Sequence, residues 1–188
     1  MIGAEQTTIR RGGADDAGVV ADLHALSWRT AYRGIVPAEA LGDGLAAQRR
    51  ELWELRLTVD YGGPDNTPEL LIAERAGEVL GFAYLVPQPD GRVLLDNLHV
   101  RPGSTGGGIG RALLAEARAH VAARHPGAAL YLEVLRDNTR AVAFYEREGG
   151  RRTAEQEGVF PGGHALPEYE YTWPVEGDPV EDGPVAAQ

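Results

Sequence analysis

The sequence predicts one α/β domain, of the α+β kind, in which about four helices flank a central mixed, mostly antiparallel sheet of about seven strands. Apolar runs of strand length alternate with segments of helical periodicity along the chain. Two of these runs flank Ala76-Gly77-Glu78, which is a β-hairpin signal. A further apolar run at 93–100 leads through a glycine-rich turn into a helix. Together these three observations favour a sheet with helices packed against it.

The first part of the chain predicts one strand and two helices. Residues 7–11 form the strand, and Ala14-Asp15-Asp16 begins a helix to about Tyr32, because acidic side chains suit the positive end of a helix dipole. The side chains expected to pack this helix inward are Val19, Val20, Leu23 and Leu26. The helix at 45–60 is expected to bury Leu45, Leu52, Leu55 and Val59, and to expose Arg49, Arg50, Glu51, Glu54 and Arg56. A loop rich in glycine and proline follows at 61–68.

In the rest of the chain, six predicted strands alternate with two further helices. Strands are expected at 70–75, 79–86, 93–100, 129–134, 150–157 and 168–175, and helices at 110–124 and 139–147. The first of these helices is expected to bury Leu113, Leu114, Ala117 and Val121. Asn138 precedes the second helix, where asparagine commonly caps free N–H groups. Glycine and proline at 158–167 predict a loop between the last two strands.

Composition limits the class of protein. A chain of 188 residues suits one domain, placed at 1–175, followed by an acidic tail at 176–188 that we expect to have little order. The absence of cysteine excludes disulfides and thiolate zinc sites, and no metal site is expected. A net charge of −10 disfavours nucleic acid and anionic membranes as partners. No apolar stretch approaches the ~18 residues of a membrane span, so a cytoplasmic protein is expected, with a homodimer left open.

The glycine-rich turn predicts an anion site. The glycines at 106, 107, 108 and 110 leave successive main-chain N–H groups uncovered, and the helix after them points its positive end into the turn. A diphosphate is the expected guest. A P-loop is excluded because the chain contains no lysine. A dinucleotide fingerprint fits poorly, because its third glycine or alanine falls on Leu113.

Two motifs resemble those of the GNAT superfamily of N-acetyltransferases. Val100-x-Pro102, followed by Gly106-x-Gly108-Ile109-Gly110-Arg111, is similar to its acetyl-CoA signature. Downstream, Asn138, Ala141, Phe144-Tyr145 and Gly149 follow the spacing of a later family motif. The resemblance extends over about 8–175. Two positions depart from the family pattern: Thr105 replaces a glutamine or arginine, and Gly150 replaces a phenylalanine and is expected to loosen the start of the next strand.

The resemblance implies how the cofactor is bound. It implies a gap between the strands at 93–100 and 129–134, where main-chain groups would meet the pantetheine arm of acetyl-CoA. The residues implied to bind this cofactor are Leu98, His99, Val100, Thr105, Gly106, Gly107, Gly108, Ile109, Gly110, Arg111, Asn138 and Tyr145. On the acceptor side it implies Trp28, Tyr32 and Arg33, of which Trp28 has a strong alternative role as a core residue.

The resemblance also implies catalytic roles. A main-chain N–H at a strand bulge near Leu98 would support the developing oxyanion, and Tyr145 would give a proton to the departing thiolate. Asp96 is the first candidate for the base, with Glu133 and His99 as alternatives, although some members of the family use only water. Asp96 also has the competing role of pairing with an arginine.

Three hypotheses of function follow. The main one is an acyl-CoA-dependent N-acetyltransferase that moves an acetyl group from acetyl-CoA to a primary amine, either a small molecule or an exposed amino group, by direct attack. The alternative, motivated by Thr105 and Gly150, is a CoA-binding regulatory module without turnover. The third is an NAD-binding oxidoreductase, suggested by the glycine-rich turn alone.

Overall fold

A computed structural model of the chain describes residues 6–160 and 163–175. Within these ranges it contains seven strands and four α-helices, as the sequence predicts. In chain order they are β1 Thr8–Arg11, α1 Ala17–Ala31, α2 Gly44–Thr58, β2 Glu69–Arg75, β3 Glu78–Pro87, β4 Val93–Val100, α3 Ile109–Arg124, β5 Leu130–Leu135, α4 Thr139–Arg147, β6 Arg151–Phe160 and β7 His164–Trp173. The acidic tail expected at 176–188 lies outside the described residues.

The strands form one mixed sheet in the order β1-β2-β3-β4-β5-β7-β6. Every neighbouring pair is antiparallel except β4 and β5, which confirms the predicted sheet. This arrangement contradicts an NAD-binding oxidoreductase of the dinucleotide-fold type, because that fold requires a doubly wound parallel sheet.

The parallel pair β4 and β5 separates along its length. Pairing is confined to Val93 with Leu130 and Leu94 with Tyr131. Beyond these residues, no described strand pairs with the facing edges of β4 and β5, whose opposite edges are occupied by β3 and β7. The gap implied by the resemblance is therefore present in the middle of the sheet.

Helices cover both faces of the sheet. The apolar side of α3 packs on one face through Leu113, Leu114, Ala117 and Val121, as predicted, and Tyr145 of α4 belongs to the same core. On the opposite face, α1 and Trp53 of α2 pack on β2 and β3. No helix within residues 6–160 and 163–175 has the length and apolar character that spanning a membrane requires.

The predicted orientation of α2 is wrong in part, because Leu45 is buried and Arg50, Glu51 and Glu54 are exposed as expected, but other residues differ. Leu55 is 63% exposed and Val59 is 45% exposed, whereas Trp53 is fully buried and Arg49 is only 8% exposed. Residues 45, 49 and 53 recur every four positions and therefore lie on one side of the helix. The large indole of Trp53, whose ring centroid lies 5.2 Å from that of Phe82, turns this side toward the sheet.

A similar difference occurs in α1. Val20 and Leu23 are buried as expected, but Leu26 is 41% exposed. The inward side instead carries small and aromatic residues, including Ala21, Ala25 and Trp28. These small side chains allow α1 to lie close to α2 and the sheet, a feature that a count of large apolar residues does not detect.

The bounds predicted for the loop at 158–167 are also wrong. β6 continues to Phe160 and β7 begins at His164, with these two residues paired across the hairpin. Gly158 and Pro167 both lie within the strands, although they usually interrupt them. Phe160 stabilises the extended hairpin because its ring packs on Trp28, with the ring centroids 4.8 Å apart.

Gly150 does not loosen the start of β6, which begins at the next residue. A Cβ atom at this position would lie 2.8 Å from Cζ2 of Trp173 and 3.0 Å from the carbonyl oxygen of Tyr145. Trp173 of β7 thus fills the space beside the missing side chain, and its Nε1 donates a hydrogen bond of 2.9 Å to the carbonyl of Glu148. An aromatic group is present here, but it comes from another strand.

Candidate active site

A cavity of about 430 Å³ lies where β4 and β5 separate. Its walls come from α1, β4, the glycine-rich turn, β5, α4 and the first turn of α3. Since α1 lies on one face of the sheet while α3 and α4 lie on the other, the cavity joins the two faces through the gap. A ligand can therefore approach from one face and a second ligand from the other.

The glycine-rich turn forms one end of this cavity. Gly106 and Gly108 have φ values of +87° and +81°, in the left-handed region that favours glycine. Gly108 is the residue before α3, and no side chain caps the helix there. The N–H groups of Gly106, Gly107 and Gly108 donate to no described acceptor. These free donors and the helix N-terminus together favour an anion.

The structure places most, but not all, of the predicted turn residues at the cavity. Thr105, Gly106, Gly108 and Gly110 line it. The other three turn residues predicted to bind the cofactor, Gly107, Ile109 and Arg111, are absent from the cavity wall. Ile109 is buried in the core, and Arg111 extends into solvent, with its Nε 3.4 Å from Oε2 of Glu148. Adjacent positions at a helix start point in different directions, so a contiguous motif cannot place all of its side chains at one ligand.

β4 supplies the next part of the wall. Leu98, His99 and Val100 all line the cavity, as predicted. The strand contains a bulge, because Tyr84 pairs with Asn97 and Leu85 with Leu95, which leaves Asp96 without a partner in β3. The bulge expected near Leu98 is therefore two residues earlier.

The two carboxylates among the three candidate bases already have polar partners. Asp96 lines the cavity, but its Oδ2 lies 2.7 Å from Nη1 of Arg56 and also contacts the side-chain amide of Asn97. The competing role expected for Asp96, pairing with an arginine, is confirmed. Glu133 also lines the cavity and accepts a hydrogen bond of 2.7 Å from Gln156.

His99 occupies the α1 side of the gap. Its Nδ1 lies 2.9 Å from the hydroxyl of Ser27, and its ring centroid is 4.7 Å from that of His24. Burial, with a smaller contribution from the charge of Arg49, lowers the pKa of His99 to about 4. His99 is therefore neutral at physiological pH. Nε2, its other ring nitrogen, has no hydrogen-bond partner among the described residues.

Tyr145 and Asn138 line the cavity from the α4 side. Burial raises the pKa of Tyr145 above its usual value, and the neighbouring Tyr32 adds to this effect. The hydroxyl of Tyr145 is therefore protonated at physiological pH. Asn138 accepts a hydrogen bond of 3.3 Å from the N–H of Ala141, which confirms the predicted cap of α4.

Of the three residues predicted on the acceptor side, only Tyr32 lines the cavity. Burial raises the pKa of its phenol to about 12. Trp28 belongs to a cluster of buried apolar residues and contacts Phe160, which supports its alternative role as a core residue. Arg33 is exposed, lies outside the cavity wall and belongs to the turn after α1.

Sequence reasoning missed several polar residues at the site. Ser27, Ser104, Arg140 and Arg147 all line the cavity. Arg140 and Arg147 are seven residues apart on α4, which places them on the same side of the helix, and neither pairs with a carboxylate among the described residues. Their helical spacing was available in the sequence, but charged helical positions usually face solvent.

Comparison with known proteins identifies relatives of this chain. A sequence model of the acetyltransferase (GNAT) family matches residues 20–150. A mycothiol acetyltransferase of Streptomyces bingchenggensis is 41% identical over 91 residues, which make up 47% of this chain and only 29% of that relative. The chain thus spans less than a third of the length of this curated relative.

Solved structures share the fold. The PaiA N-acetyltransferase of Thermoplasma acidophilum, in complex with coenzyme A, has a TM-score of 0.67 at 22% identity and covers 88% of this chain and 99% of its own. The yncA protein of Salmonella typhimurium, with its cofactor acetyl-CoA, has a TM-score of 0.66 at 17% identity and covers 97% and 99%. With the family match extending over most of the chain, the protein belongs to the acetyltransferase (GNAT) family.

Proposed function

We propose that this chain is an N-acetyltransferase that transfers an acetyl group from acetyl-CoA to a primary amine by direct attack. The observation that carries the proposal is a cavity that has an N–H-rich turn at one end and the Tyr145 hydroxyl in its wall. Family membership supports the reaction class. The complexes of the T. acidophilum and S. typhimurium relatives with CoA and acetyl-CoA support the choice of co-substrate.

The residues present fit the chemistry of CoA. The free N–H groups of Gly106, Gly107 and Gly108 would receive the diphosphate, and Arg140 and Arg147 would add positive charge beside it. Thr105 can still offer a hydroxyl and an N–H where the family has a longer side chain. In the gap, the uncovered edges of β4 and β5 would satisfy the amides of the pantetheine arm.

Proton movement can be assigned to residues on both sides of the gap. Acetyl-CoA, when bound, supplies a thioester whose C–S bond breaks as the amine nitrogen bonds to the acetyl carbon. The amine loses one proton and the sulfur gains one. Tyr145 holds a proton at its hydroxyl and would give it to the sulfur, then recover one from water. Burial raises the pKa of this phenol, and the same surroundings would also raise the pKa of the CoA thiol. The driving force for proton transfer from Tyr145 to the sulfur is therefore kept.

The proton acceptor belongs on the α1 side. Asp96 remains a candidate, but Arg56 already compensates its charge. We favour His99, because the pairing of Nδ1 with Ser27 leaves Nε2 available to the cavity. In that arrangement Nδ1 carries the hydrogen that is donated to Ser27, and Nε2 carries the lone pair. The N–H of Leu98 remains the proposed support for the developing negative charge.

Removing the Tyr145 hydroxyl tests the proposal. We expect Tyr145→Phe to lower kcat by roughly 100-fold or more while acetyl-CoA affinity stays within about two-fold, since only proton donation is lost. Steady-state kinetics with an amine panel and calorimetry with acetyl-CoA give the two quantities. Tyr171→Phe is the matched control, because this buried tyrosine bonds Glu146 and lies outside the cavity wall.

The same experiment separates the alternative of a CoA-binding regulatory module. A module without turnover would bind acetyl-CoA but acetylate no amine, and Tyr145→Phe would change neither property. The proposal fails entirely if calorimetry detects no binding of CoA or acetyl-CoA to the unmodified chain.

A further inference from the structure

Glu133 is a carboxylate on the α1 side of the cavity that has no basic partner among the described residues. Leu132 and Val134, its neighbours in β5, belong to the core beneath α3 and α4. Glu133 therefore faces the α1 side, because successive side chains of a strand point to opposite faces. Gln156 of β6 donates a hydrogen bond of 2.7 Å to Oε1 of Glu133. This neutral amide fixes the carboxylate in place but leaves its charge uncompensated.

Glu168 of β7 is a second carboxylate on the same side. It pairs across the sheet with Leu135 of β5 and Gln156 of β6, so its side chain shares their face. Leu135 belongs to the same buried cluster as Trp28 of α1. The half-buried carboxylate of Glu168 occupies the space above Gly158, where a Cβ atom would overlap it. The glycine within this strand therefore gives the carboxylate the room that it needs.

Aromatic packing places Glu168 beside the cavity. Tyr32, which lines the cavity, packs on Phe160 of β6, with the ring centroids 5.7 Å apart. Phe160 and Gly158 are two residues apart in the strand and lie on one face, and Glu168 covers Gly158. The pKa changes agree with this placement. Burial raises the pKa of Glu168, with a smaller contribution from Glu133, and burial followed by the charge of Glu168 raises the pKa of Tyr32.

The nearby basic side chains are already paired or neutral. Arg56 lies 2.7 Å from Asp96, and Arg136, which follows β5, lies 3.6 Å from Glu155. His99 carries no charge at physiological pH, because burial lowers its pKa to about 4. The carboxylates at 133 and 168 therefore give the acceptor side a negative charge with which no described residue forms an ion pair.

A ligand is expected at this place on independent grounds. Tyr145 is only 8% exposed, and its hydroxyl has no hydrogen-bond partner among the described residues. It lines the same cavity as Tyr32 and Glu133. Because a buried hydroxyl without a partner is costly unless a ligand or water satisfies it, the two carboxylates lie at a binding cavity and not on a plain acidic surface.

We propose that the acceptor carries a second cationic group besides the amine that is acetylated, as a diamine or polyamine does, and that Glu133 and Glu168 bind this second cation. The inference rests on the proposed acetyltransferase function and names the class of its acceptor. An ammonium group has enough N–H donors to bond both carboxylates, and its charge would compensate the repulsion between them. The second cation does not react, so the products are a monoacetylated diamine and CoA.

Matched acceptors test this inference. The panel contains diamines with both amines at the chain ends, from propane to hexane, and the amino alcohols and monoamines of equal length, which lack the second cation. We expect steady-state assays to give a KM about ten-fold lower for the preferred diamine than for its amino alcohol. Equal KM values for matched acceptors would overturn the inference and leave the acetyltransferase function standing.

Replacing Glu168 separates cation binding from a structural role. We expect Glu168→Gln to raise the KM for the diamine about ten-fold, with the KM values for the amino alcohol and acetyl-CoA unchanged, and Glu168→Asp to fall between. The urea midpoint should not decrease, because the raised pKa of Glu168 means that the fold disfavours its charge. An equal loss with every acceptor, together with a lower urea midpoint, would assign Glu168 to stability and overturn the inference.

Glu157→Gln is the matched control for charge. Glu157 lies between Gln156 and Gly158 in β6 and therefore faces the opposite side of the sheet. Its replacement removes the same charge from the same hairpin, and we expect the KM for the diamine to stay unchanged. Equal increases for Glu157→Gln and Glu168→Gln would mean that overall charge, and not contact, attracts the diamine, which would overturn the inference.

Glu133→Gln tests the other carboxylate. We expect it to raise the KM for the diamine as Glu168→Gln does, since both carboxylates would contact one ammonium group. A loss of kcat with every acceptor and no change in this KM would make Glu133 a base and overturn its place in the inference.

Calorimetry keeps the inference testable without turnover. If acetyl-CoA binds but no amine is acetylated, the proposed function fails, while titration of the CoA-bound protein with the diamines still measures binding of the cation. Binding that Glu168→Gln weakens and Glu157→Gln does not would support the inference. Absence of any diamine binding would overturn it.

Discussion

His24, which is buried, and His99, which is half-buried, illustrate how the surroundings of a histidine change its pKa. His24 accepts a hydrogen bond of 3.0 Å from Nε1 of Trp53, and His99 contacts Ser27 and the ring of His24. Burial is the largest cause of the lowered pKa of each ring. The folded protein therefore holds both rings in the neutral form at a pH where the unfolded chain begins to bind protons.

This difference predicts how stability depends on pH. A histidine with a lowered pKa stabilises the fold fully above its unfolded pKa of 6.5, and this stabilisation is lost as pH falls toward the folded pKa, about 4 for His99. We expect the urea midpoint to decrease steadily between about pH 6.5 and 4. Urea denaturation at half-unit steps of pH gives the profile.

A variant identifies the source of the decrease. His99→Asn should flatten the profile, because one of the titrating groups is removed. His120, whose pKa is also lowered to about 4, and Glu69 and Glu168, whose raised pKa values act in the opposite direction, are common to both proteins. Identical slopes for the variant and the unmodified protein would contradict the assignment.

At the scale of elements, anion binding by the turn before α3 would depend on backbone conformation more than on side chains. Gly106 and Gly108 adopt left-handed φ values, and their N–H groups are available because no side chain or neighbouring strand covers them. The proposed contact with a diphosphate is therefore made by the main chain. Its strength should depend on whether each residue can hold its conformation.

Replacing Gly108 tests this dependence. At a φ of +81°, an alanine costs roughly 1 to 2 kcal/mol, which would lower CoA affinity by about ten-fold if the turn relaxes away from its binding conformation. Calorimetry with CoA measures the effect of Gly108→Ala. Gly107→Ala is the control, because Gly107 has no left-handed φ, alanine keeps its N–H, and a Cβ there would lie 3.7 Å from the carbonyl oxygen of Ser104, an ordinary contact. Equal losses in both variants would contradict the conformational explanation.

The contact between the end of α4 and β7 permits a second prediction. Gly150→Ala would place a Cβ 2.8 Å from Trp173, and overpacking of this kind costs about 1 to 3 kcal/mol in free energy of unfolding. The same change in a Trp173→Leu background should cost less, because the smaller side chain removes the contacts with the indole, while the contact of 3.0 Å with the carbonyl oxygen of Tyr145 remains. Urea denaturation of the four proteins forms a double-mutant cycle, and simple additivity would refute the packing explanation.

Sequence patterns predicted elements better than they predicted which side of an element is buried. The bounds expected for α4 are those observed, since Asn138 gives a local start signal that needs no tertiary information. The orientation of α2 was missed in part, because burial of Trp53 depends on Phe82 and Tyr84, which come later in the chain, and Arg49 lies over the ring of Trp28 in another helix. The site was predicted only in part: Tyr145 and Tyr32 lie at the cavity, whereas Ile109 and Arg111 of the glycine-rich motif and Arg33 do not, because a motif gives the position of a residue but not the direction of its side chain.

At the scale of the whole molecule, the sheet joins two chemically different sides. The α3 and α4 side would offer N–H groups and arginines to a phosphate-bearing ligand, and the α1 side would offer Ser27, Tyr32 and His99 to the proposed acceptor. The gap between β4 and β5 connects them. In the proposed reaction, the two ligands would meet through this gap.

The domain limit placed at residue 175 stays a prediction at this scale. β7 ends at Trp173, which is 3% exposed, so the last strand is complete before that limit. We expect removal of residues 176–188, which carry four acidic side chains, to leave the urea midpoint and acetyl-CoA affinity unchanged. Parallel denaturation and calorimetry of the full and shortened chains provide the comparison. A clear decrease in either quantity would place the limit further along the chain.

The positions of the three tryptophans mean that intrinsic fluorescence should indicate which ligand is bound. Trp173 lies near Tyr145, with ring centroids 6.0 Å apart, whereas Trp28 lies 5.4 Å from the ring of Tyr32 in the cavity wall, and Trp53 bonds His24. Indole emission responds to charge and polarity within a few ångströms. In a variant that retains only Trp173, the emission should change when acetyl-CoA binds, and in one that retains only Trp28 it should change when the acceptor binds. Such single-chromophore chains would reveal the order in which the two substrates arrive.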